Sequence, residues 1–419
     1  MVDKIDLKAR YNAIAIQQIV VVGADAQVET LRRTMIPLNF VQIKVAKTIQ
    51  DVDLNASFMI IAVDFSNMPA VQALARFVTG VVGFTGVTMV YALAPNQLTE
   101  QDLLFGVELG IKRMFFGAMR DDEIRAFIKQ YALEVTENGS IAFIEAEVMS
   151  ALFLGDAQGI KHQCKKMGLL DKSSEDVNRL SALLYEAKMD YKRMEFHLTQ
   201  VLKINPQNLW AANYLGRYYL RNRRVAEGIE ILKKLSRFHE LNSERMLTLG
   251  EAYLNAGRGA EAGEILEKGQ QLIGEPDDRF SESLAKVQVL KGDMQSALKK
   301  LGKLHLSAPV LVFLNTRAVM ASRGNMIDEG IRLYNEAVAG CNPADKVIMA
   351  KLYFNLGLAF VRIEKYDEAI GALDNSVRIG GLAYDRATKT LASVRALKAH
   401  KGAEQKKNRD EHGDFEEIK

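Results

Sequence analysis

The sequence has very little cysteine. Among its 419 residues only two are cysteine, Cys164 and Cys341, and they stand far apart in the chain. Two isolated cysteines supply neither a disulfide framework nor the closely spaced ligands of a structural zinc site. The sequence therefore predicts a protein whose thiols stay reduced, and it predicts no metal site.

A long apolar run is also missing. No stretch holds the roughly 20 consecutive apolar residues that cross a bilayer as a helix. The N-terminal segment MVDKIDLKARYNAIAIQQIVVVG has no apolar core followed by a small-residue cleavage site. With 26% charged and 48% apolar residues the composition is that of an ordinary globular protein. We therefore expect a cytoplasmic protein.

Neither sign of charge is in excess. The chain has 55 Lys and Arg against 52 Asp and Glu, a net charge of +3. Proteins dedicated to nucleic acids usually carry a stronger basic balance. The basic run RNRR at 221–224 has no interleaved aromatic residues on which bases would stack. The sequence therefore predicts neither nucleic-acid nor membrane partners.

The N-terminal third alternates between two kinds of segment. Short apolar runs predict five strands, and segments with helical spacing of apolar residues lie between them. Runs this continuously apolar are typical of strands buried on both faces, so the alternation predicts a parallel sheet covered by helices. The predicted strands are 18–23, 40–46, 58–64, 87–93 and 112–117.

Residues 15–137 resemble the receiver domain of bacterial response regulators. The motif VDFSNMP at 63–69 is similar to the receiver segment in which a phospho-accepting aspartate ends the third strand. The resemblance implies an α/β flavodoxin-like domain over residues 1–139. It also implies Asp64 as the phospho-acceptor, with Asp25 helping to hold Mg²⁺, if the domain is active.

The receiver pattern is incomplete at the positions that serve its chemistry. Only Asp25 stands where receivers have an acidic pair, and Phe116 and Gly117 stand where a lysine is typical. Receivers need the cation and the lysine to neutralise the charge of the transferred phosphoryl group. We therefore interpret the domain as a pseudo-receiver that binds a protein, with no cofactor. A phosphorylatable response regulator remains the alternative.

From residue 140 onward the chain repeats itself. Stretches 212–235, 246–269 and 353–376 share Leu-Gly-x-x-aromatic, followed by a small residue 12 positions after the glycine. The pattern is similar to the tetratricopeptide repeat (TPR), a pair of helices A and B in about 34 residues. The resemblance implies an all-α superhelix of about seven helix pairs and a capping helix over 140–400. Residues 401–419 are predicted to be a disordered tail.

The repeat motif assigns roles to its glycines and to the single tryptophan. Gly216, Gly250 and Gly357 should lie where helix A crosses helix B too closely for a Cβ atom. Trp210 should pack at the junction between two repeats.

Helix A of such repeats lines a groove that binds peptides. Its basic members would grip acidic side chains or a terminal carboxylate through paired hydrogen bonds, while the alternative is an ordinary solvated helix face. By register, the predicted groove residues are Arg179, Asn213, Arg217, Arg221, Glu244, Arg245, Lys351, Asn355 and Arg362.

Three functions fit these features. The first is a non-enzymatic adaptor in bacterial signalling, polarity or motility, whose pseudo-receiver docks one protein and whose TPR groove binds another. The second is a phospho-switch with a TPR output domain. The third is an enzyme, which the sequence disfavours because no nucleophile, base and orienting group converge. The sequence favours the adaptor, and a homodimer is compatible with it.

Overall fold

The computed structural model describes most of the chain beyond residue 139 and separate segments before it. The described ranges are 18–22, 59–64, 67–80, 88–94, 99–109, 113–116, 139–153, 155–381 and 385–413, with single positions between 111 and 137.

A parallel sheet of four described strands precedes the helical repeats. The strands follow one another across the sheet in chain order. Val20 pairs with Ile61 and Val63 with Ala92. Helices α1 (Met68–Gly80) and α2 (Glu100–Glu108) connect successive strands, as parallel neighbours require. The strands are β1 (Gln18–Val22), β2 (Met59–Asp64), β3 (Thr88–Ala94) and β4 (Arg113–Phe116).

The predicted flavodoxin-like fold class is wrong. The described sheet has four strands in simple chain order, and the predicted strand at 40–46 lies outside the described residues. Helices set the fold class, since every described element after residue 140 is a helix. The described part of the chain is therefore mainly an all-α repeat array, which follows a sheet of four described strands. Apolar runs indicate burial within a sheet, but they do not specify the fold class.

The chain divides into two compact units, residues 1–277 (unit 1) and 278–419 (unit 2). In unit 1 the helices after the sheet are α3 (Ile141–Phe153), α4 (Ala157–Met167), α5 (Glu175–Ala187), α6 (Tyr191–Ile204), α7 (Leu209–Arg221), α8 (Val225–Phe238), α9 (Ser243–Asn255) and α10 (Gly259–Ile273).

Unit 2 continues the same alternation of helices A and B. Its last helix extends into the segment 401–419 that was predicted to be a disordered tail. The helices are α11 (Asp278–Leu290), α12 (Met294–Leu301), α13 (Ala308–Arg323), α14 (Ile327–Gly340), α15 (Lys346–Arg362), α16 (Tyr366–Gly380) and α17 (Asp385–Gly413).

Polar side chains start several of these helices. Asn208 Oδ1 accepts a hydrogen bond from the Ala211 amide at 2.7 Å, and Asn242 Oδ1 accepts one from the Arg245 amide at 2.9 Å. Such caps satisfy amides that have no partner within the helix. The starts of α7 and α9 therefore follow from the polar residues Asn208 and Asn242.

The glycines of helix A lie against leucines of helix B. A Cβ atom at Gly250 would come within 2.5 Å of Leu266, one at Gly216 within 2.8 Å of Leu232, and one at Gly357 within 2.7 Å of Leu373. The predicted close crossing of the two helices is confirmed at all three glycines. Each pair is thus held together by packing that leaves no space for a side chain on one helix.

The turns between helices A and B share a left-handed residue. Met189, Arg223 and Glu364 have φ of 57°, 63° and 60°, and Gly257 has φ of 75° at the equivalent position. The next residue donates its amide to a carbonyl of the preceding helix, as Arg224 does to Tyr219 O at 2.9 Å. Left-handed backbone costs a non-glycine residue about 1–2 kcal/mol. Three turns therefore carry strain that glycine would not have.

We expect Arg223→Gly to raise the free energy of unfolding of unit 1 by about 0.5–1 kcal/mol, because the relief of strain exceeds the entropy cost of glycine. Arg223 is exposed, so little packing is lost. Urea unfolding followed by Trp210 fluorescence measures the effect, since Trp210 is the single tryptophan and lies in unit 1. The matched variant Gly257→Ala should lower the free energy of unfolding of unit 1 by about 1 kcal/mol. The same sign of change in both variants would contradict this account.

Candidate partner-binding face

Two A helices of unit 1, α5 and α7, bring predicted groove residues together with a carboxylate. We define the unit 1 face as Glu186 of α5 and Asn213, Tyr214, Arg217 and Arg221 of α7. The Tyr214 hydroxyl donates a hydrogen bond to Glu186 Oε2. Arg217 and Arg221 both interact electrostatically with Glu186. The face therefore combines both signs of charge.

Burial changes the ionisation of the unit 1 face. It raises the pKa of Glu186 above the ordinary value, although Arg221 and Arg217 oppose this. It also lowers the pKa of Arg217, and the neighbouring Arg221 adds to that shift while Glu186 and Glu244 oppose it. Arg221 itself is exposed. Arg217 thus lies close to the half-buried Glu186 and the buried Glu244, whereas Arg221 is exposed to an approaching molecule.

Asn213 supplies an unused acceptor on the unit 1 face. Its Oδ1 atom is buried and accepts no hydrogen bond from any described residue. Buried polar atoms nearly always have a partner, and one left without costs about 1–3 kcal/mol. A bound group that donates a hydrogen bond to Asn213 would remove this cost.

Trp210 lies one turn before this asparagine. Its indole ring is 5.1 Å from the Tyr214 ring, and it packs against the apolar cores of two neighbouring helix pairs. The predicted place of Trp210 at a repeat junction is confirmed. The packed indole ring is an apolar neighbour of the unit 1 face, next to Tyr214.

Arg179 is engaged within unit 1. Its guanidinium donates to Glu145 Oε1 at 2.8 Å and to Asp176 Oδ1 at 3.3 Å, and 15% of its side chain is exposed. Arg179 therefore ties α5 to α3, and the structure places it away from the open part of the face.

Arg245 is buried against the helix that precedes β4. Its side chain is 0% exposed and pairs with Glu108 of α2, whose side chain is 2% exposed. Glu108 also lies 2.9 Å from His239 Nδ1 and accepts from Asn242 Nδ2 at 2.7 Å. Burial alone would raise the pKa of Glu108, but Arg245 and His239 outweigh it and hold that pKa below its usual value. Arg245 thus binds α2 instead of a partner.

Helix α1 makes a second polar contact with the start of α9. Gln72 Nε2 donates to Leu241 O at 2.6 Å, and Gln72 Oε1 accepts from Ser243 Oγ at 2.6 Å. Arg76 pairs with Asp277 and lies 3.5 Å from Glu244. Glu244, also predicted to line the groove, is therefore buried under α1. These partners are about 130 to 200 residues apart in sequence, and no local pattern links them.

The predicted residues of unit 2 lie on its A helix α15, and two of them form hydrogen bonds with α13. Asn355 Nδ2 donates to Asn315 Oδ1 at 2.8 Å, so the two helices share an amide pair. Arg362 donates to the Ser322 carbonyl at 2.5 Å, and Lys351 is exposed. We define Asn315, Lys351, Asn355 and Arg362 as the unit 2 face. Sequence analysis missed Asn315 because its repeat lacks the Leu-Gly signature.

The structure describes little of the two residues predicted to take part in phosphorylation. Asp25 lies outside the described residues, and Asp64 ends β2 without a described side chain. Within the described ranges, no three His, Cys, Asp or Glu residues come together in a way that could hold a metal ion. No described helix is long and apolar enough to cross a membrane.

Comparison with known proteins found similarity only at the level of structure. No protein-family model matches the sequence, and no curated protein sequence matches it significantly. MamA of AMB-1 is 19% identical over 36% of this chain and 91% of its own, with a TM-score of 0.33. YrrB, described as a TPR protein with an unusual peptide-binding site, is 15% identical over 46% of this chain and 97% of its own, with a TM-score of 0.27.

A tetratricopeptide repeat protein from Parabacteroides merdae is 10% identical over 65% of this chain and 99% of its own, with a TM-score of 0.34. All three TM-scores are below 0.5, so the repeat type rests on this chain's own helix pairs and glycine contacts. The receiver resemblance gains no support from these structures.

Proposed function

We propose that this protein is a non-catalytic scaffold that binds an extended segment of a partner protein on the unit 1 face. The observation that carries the proposal is the buried, unpartnered Oδ1 of Asn213 on α7, the helix on which the exposed Arg221 lies about two turns further on. An extended peptide has free backbone amides that would donate to Asn213. Arg221 would pair with a carboxylate of the same segment, since guanidinium groups bind carboxylates through two hydrogen bonds.

The unit 2 face supports the same type of partner. An amide side chain offers one acceptor and two donors, so Asn315 and Asn355 suit a peptide backbone, which carries both kinds of group. Lys351 adds an exposed positive charge nearby. We further propose that the partners belong to a bacterial signalling, polarity or motility system.

Arg221→Glu should weaken the binding of such a partner by about 1.5–3 kcal/mol, because it removes a charge-assisted hydrogen bond and adds repulsion. Arg217→Glu is less informative, because it would place a third carboxylate beside Glu186 and Glu244 and so disturb the fold. A photo-crosslinking residue at position 221 identifies the partner, and calorimetry with the purified partner measures the affinity.

The matched control is Arg237→Glu, which changes an exposed arginine of α8 in the same unit. A crosslinker at position 237 should not capture the same protein. A partner that binds the Arg221→Glu variant as tightly as the unaltered protein at low salt would remove the unit 1 face from consideration.

A further inference from the structure

A cavity of about 300 Å³ lies among α4, α5 and α6 of unit 1. None of the residues that define the unit 1 face lines it. Its volume is at the lower end of the range for ligand pockets. Met167, Val177, Leu184, Tyr185 and Phe196 form its apolar wall, and Cys164, Gly168, Lys172, Asn178, Ser181, Arg193 and His197 complete the lining.

One wall of the cavity has a fixed hydrogen-bonding pattern. Asn178 Nδ2 donates to the carbonyls of Lys172 at 2.7 Å and Ser174 at 2.9 Å, which orients the amide. Its Oδ1 atom, an acceptor, lies 2.9 Å from His197 Nδ1, so that nitrogen carries the proton. Burial, with Lys172 nearby, lowers the pKa of His197, so the ring is neutral at neutral pH. His197 is thus held in one orientation as part of an uncharged aromatic wall.

Aromatic rings surround this histidine. The Tyr185 ring is stacked at 5.4 Å and 7° to the imidazole, and the Phe196 ring meets it edge-on at 5.2 Å. Phe196 is nevertheless 56% exposed. An exposed phenyl ring at the rim of an apolar cavity offers a surface on which a second apolar side chain packs.

The charges in the lining are of one sign. Lys172 and Arg193 are its only charged residues, and no carboxylate lines the cavity. Arg193 lies over the Tyr185 ring at 5.4 Å and keeps 62% of its side chain exposed, with Asp190 at 3.4 Å as its one carboxylate neighbour. The lining therefore offers an entering molecule two cations in addition to the aromatic wall.

We propose that this cavity takes one bulky apolar side chain from an acidic segment of a partner protein. The apolar side chain packs against Phe196, Leu184 and Met167, and flanking carboxylates pair with Lys172 and Arg193. This site is separate from the unit 1 face, none of whose defining residues lines the cavity. The proposal shares with the scaffold function only the premise that the partner is a protein.

The test uses the full chain and a labelled peptide, Asp-Glu-Phe-Glu-Asp, in fluorescence anisotropy. Replacing Phe by Ala in the peptide, or its four acids by Lys, should weaken binding at least about tenfold, which is 1.4 kcal/mol. Arg193→Glu and Phe196→Ala should each weaken binding of the parent peptide about five- to tenfold. Lys203→Glu, an exposed lysine of the same helix outside the lining, should leave binding unchanged.

Alkylation of Cys164 reports directly on occupancy, because this thiol lines the cavity and Cys341 is buried elsewhere. Saturating peptide should slow the alkylation of Cys164 several-fold, as peptide-resolved mass spectrometry measures.

Three outcomes would overturn the proposal. The first is equal binding of the Phe and Ala peptides. The second is peptide binding that leaves Cys164 unprotected and is lost in Arg221→Glu, which assigns the peptide to the unit 1 face and supports the scaffold function alone. The third is a concentration-dependent dimer that Phe196→Ala dissociates, which makes a second copy of the chain the occupant.

Discussion

Replacing Arg245 by methionine should lower the free energy of unfolding of unit 1 by about 3–5 kcal/mol, because Glu108 then remains buried without its counter-charge. Only 2% of the Glu108 side chain is exposed, so water cannot replace the guanidinium. Urea unfolding followed by Trp210 fluorescence measures the loss, since this tryptophan belongs to the same unit.

The double variant Glu108→Leu with Arg245→Met provides the control. Apolar residues of similar volume often replace a buried ion pair at little or no cost, so the double variant should recover most of the lost stability. Because the pKa of Glu108 is depressed in the folded state, its contribution is present above the ordinary glutamate pKa. The contribution disappears as the pH falls through the lower folded-state value, and the double variant should lack this part of the acid sensitivity. A loss of under about 1 kcal/mol in Arg245→Met would contradict the role of the pair.

Leu266→Ala should lower the free energy of unfolding of unit 1 by about 2–5 kcal/mol, because it removes a fully buried side chain and leaves a cavity beside Gly250. Gly250→Ala alone should also destabilise unit 1, since the added methyl group would come within 2.5 Å of Leu266. The same Trp210 unfolding curves measure both variants.

Combining the two changes should reverse the sign of the glycine substitution. With Leu266 shortened, the methyl group of Gly250→Ala has space, and alanine is favoured over glycine in a helix by about 1 kcal/mol. The double variant should therefore be more stable than Leu266→Ala alone, and the coupling between the two sites follows from the double-mutant cycle. Additive losses would mean that this glycine is not required by the crossing of the two helices.

The helical repeats could be predicted from the sequence because their signals are local. The Leu-Gly-x-x-aromatic spacing identified α7, α9 and α15, and the packing of Gly216, Gly250 and Gly357 followed from it. The N-terminal fold class could not be predicted in this way. An apolar strand has the same pattern in sheets of many folds, so the flavodoxin-like assignment came from resemblance alone.

The sequence predicted which residues lie on A helices, but it did not predict which of them are exposed. Helical spacing correctly placed Arg217, Arg221 and Arg245 on A helices. It could not show that α2 covers Arg245, because Glu108 is 137 residues away in the chain. The cavity had no sequence signal, since its lining comes from three helices, each with an ordinary amphipathic pattern.

The left-handed turn residues affect how such repeats tolerate sequence drift. Methionine, arginine, glutamate and glycine all occupy the same backbone geometry in different repeats of this chain. Within this chain the turn therefore requires a backbone shape and not one residue type, so a repeat keeps its fold without a glycine at the turn. Each non-glycine turn also lowers the free energy of unfolding by about 1 kcal/mol, and one change to glycine would restore it. A change to glycine at one of these turns can therefore offset the stability lost to a destabilising substitution elsewhere, including one that creates a new binding surface.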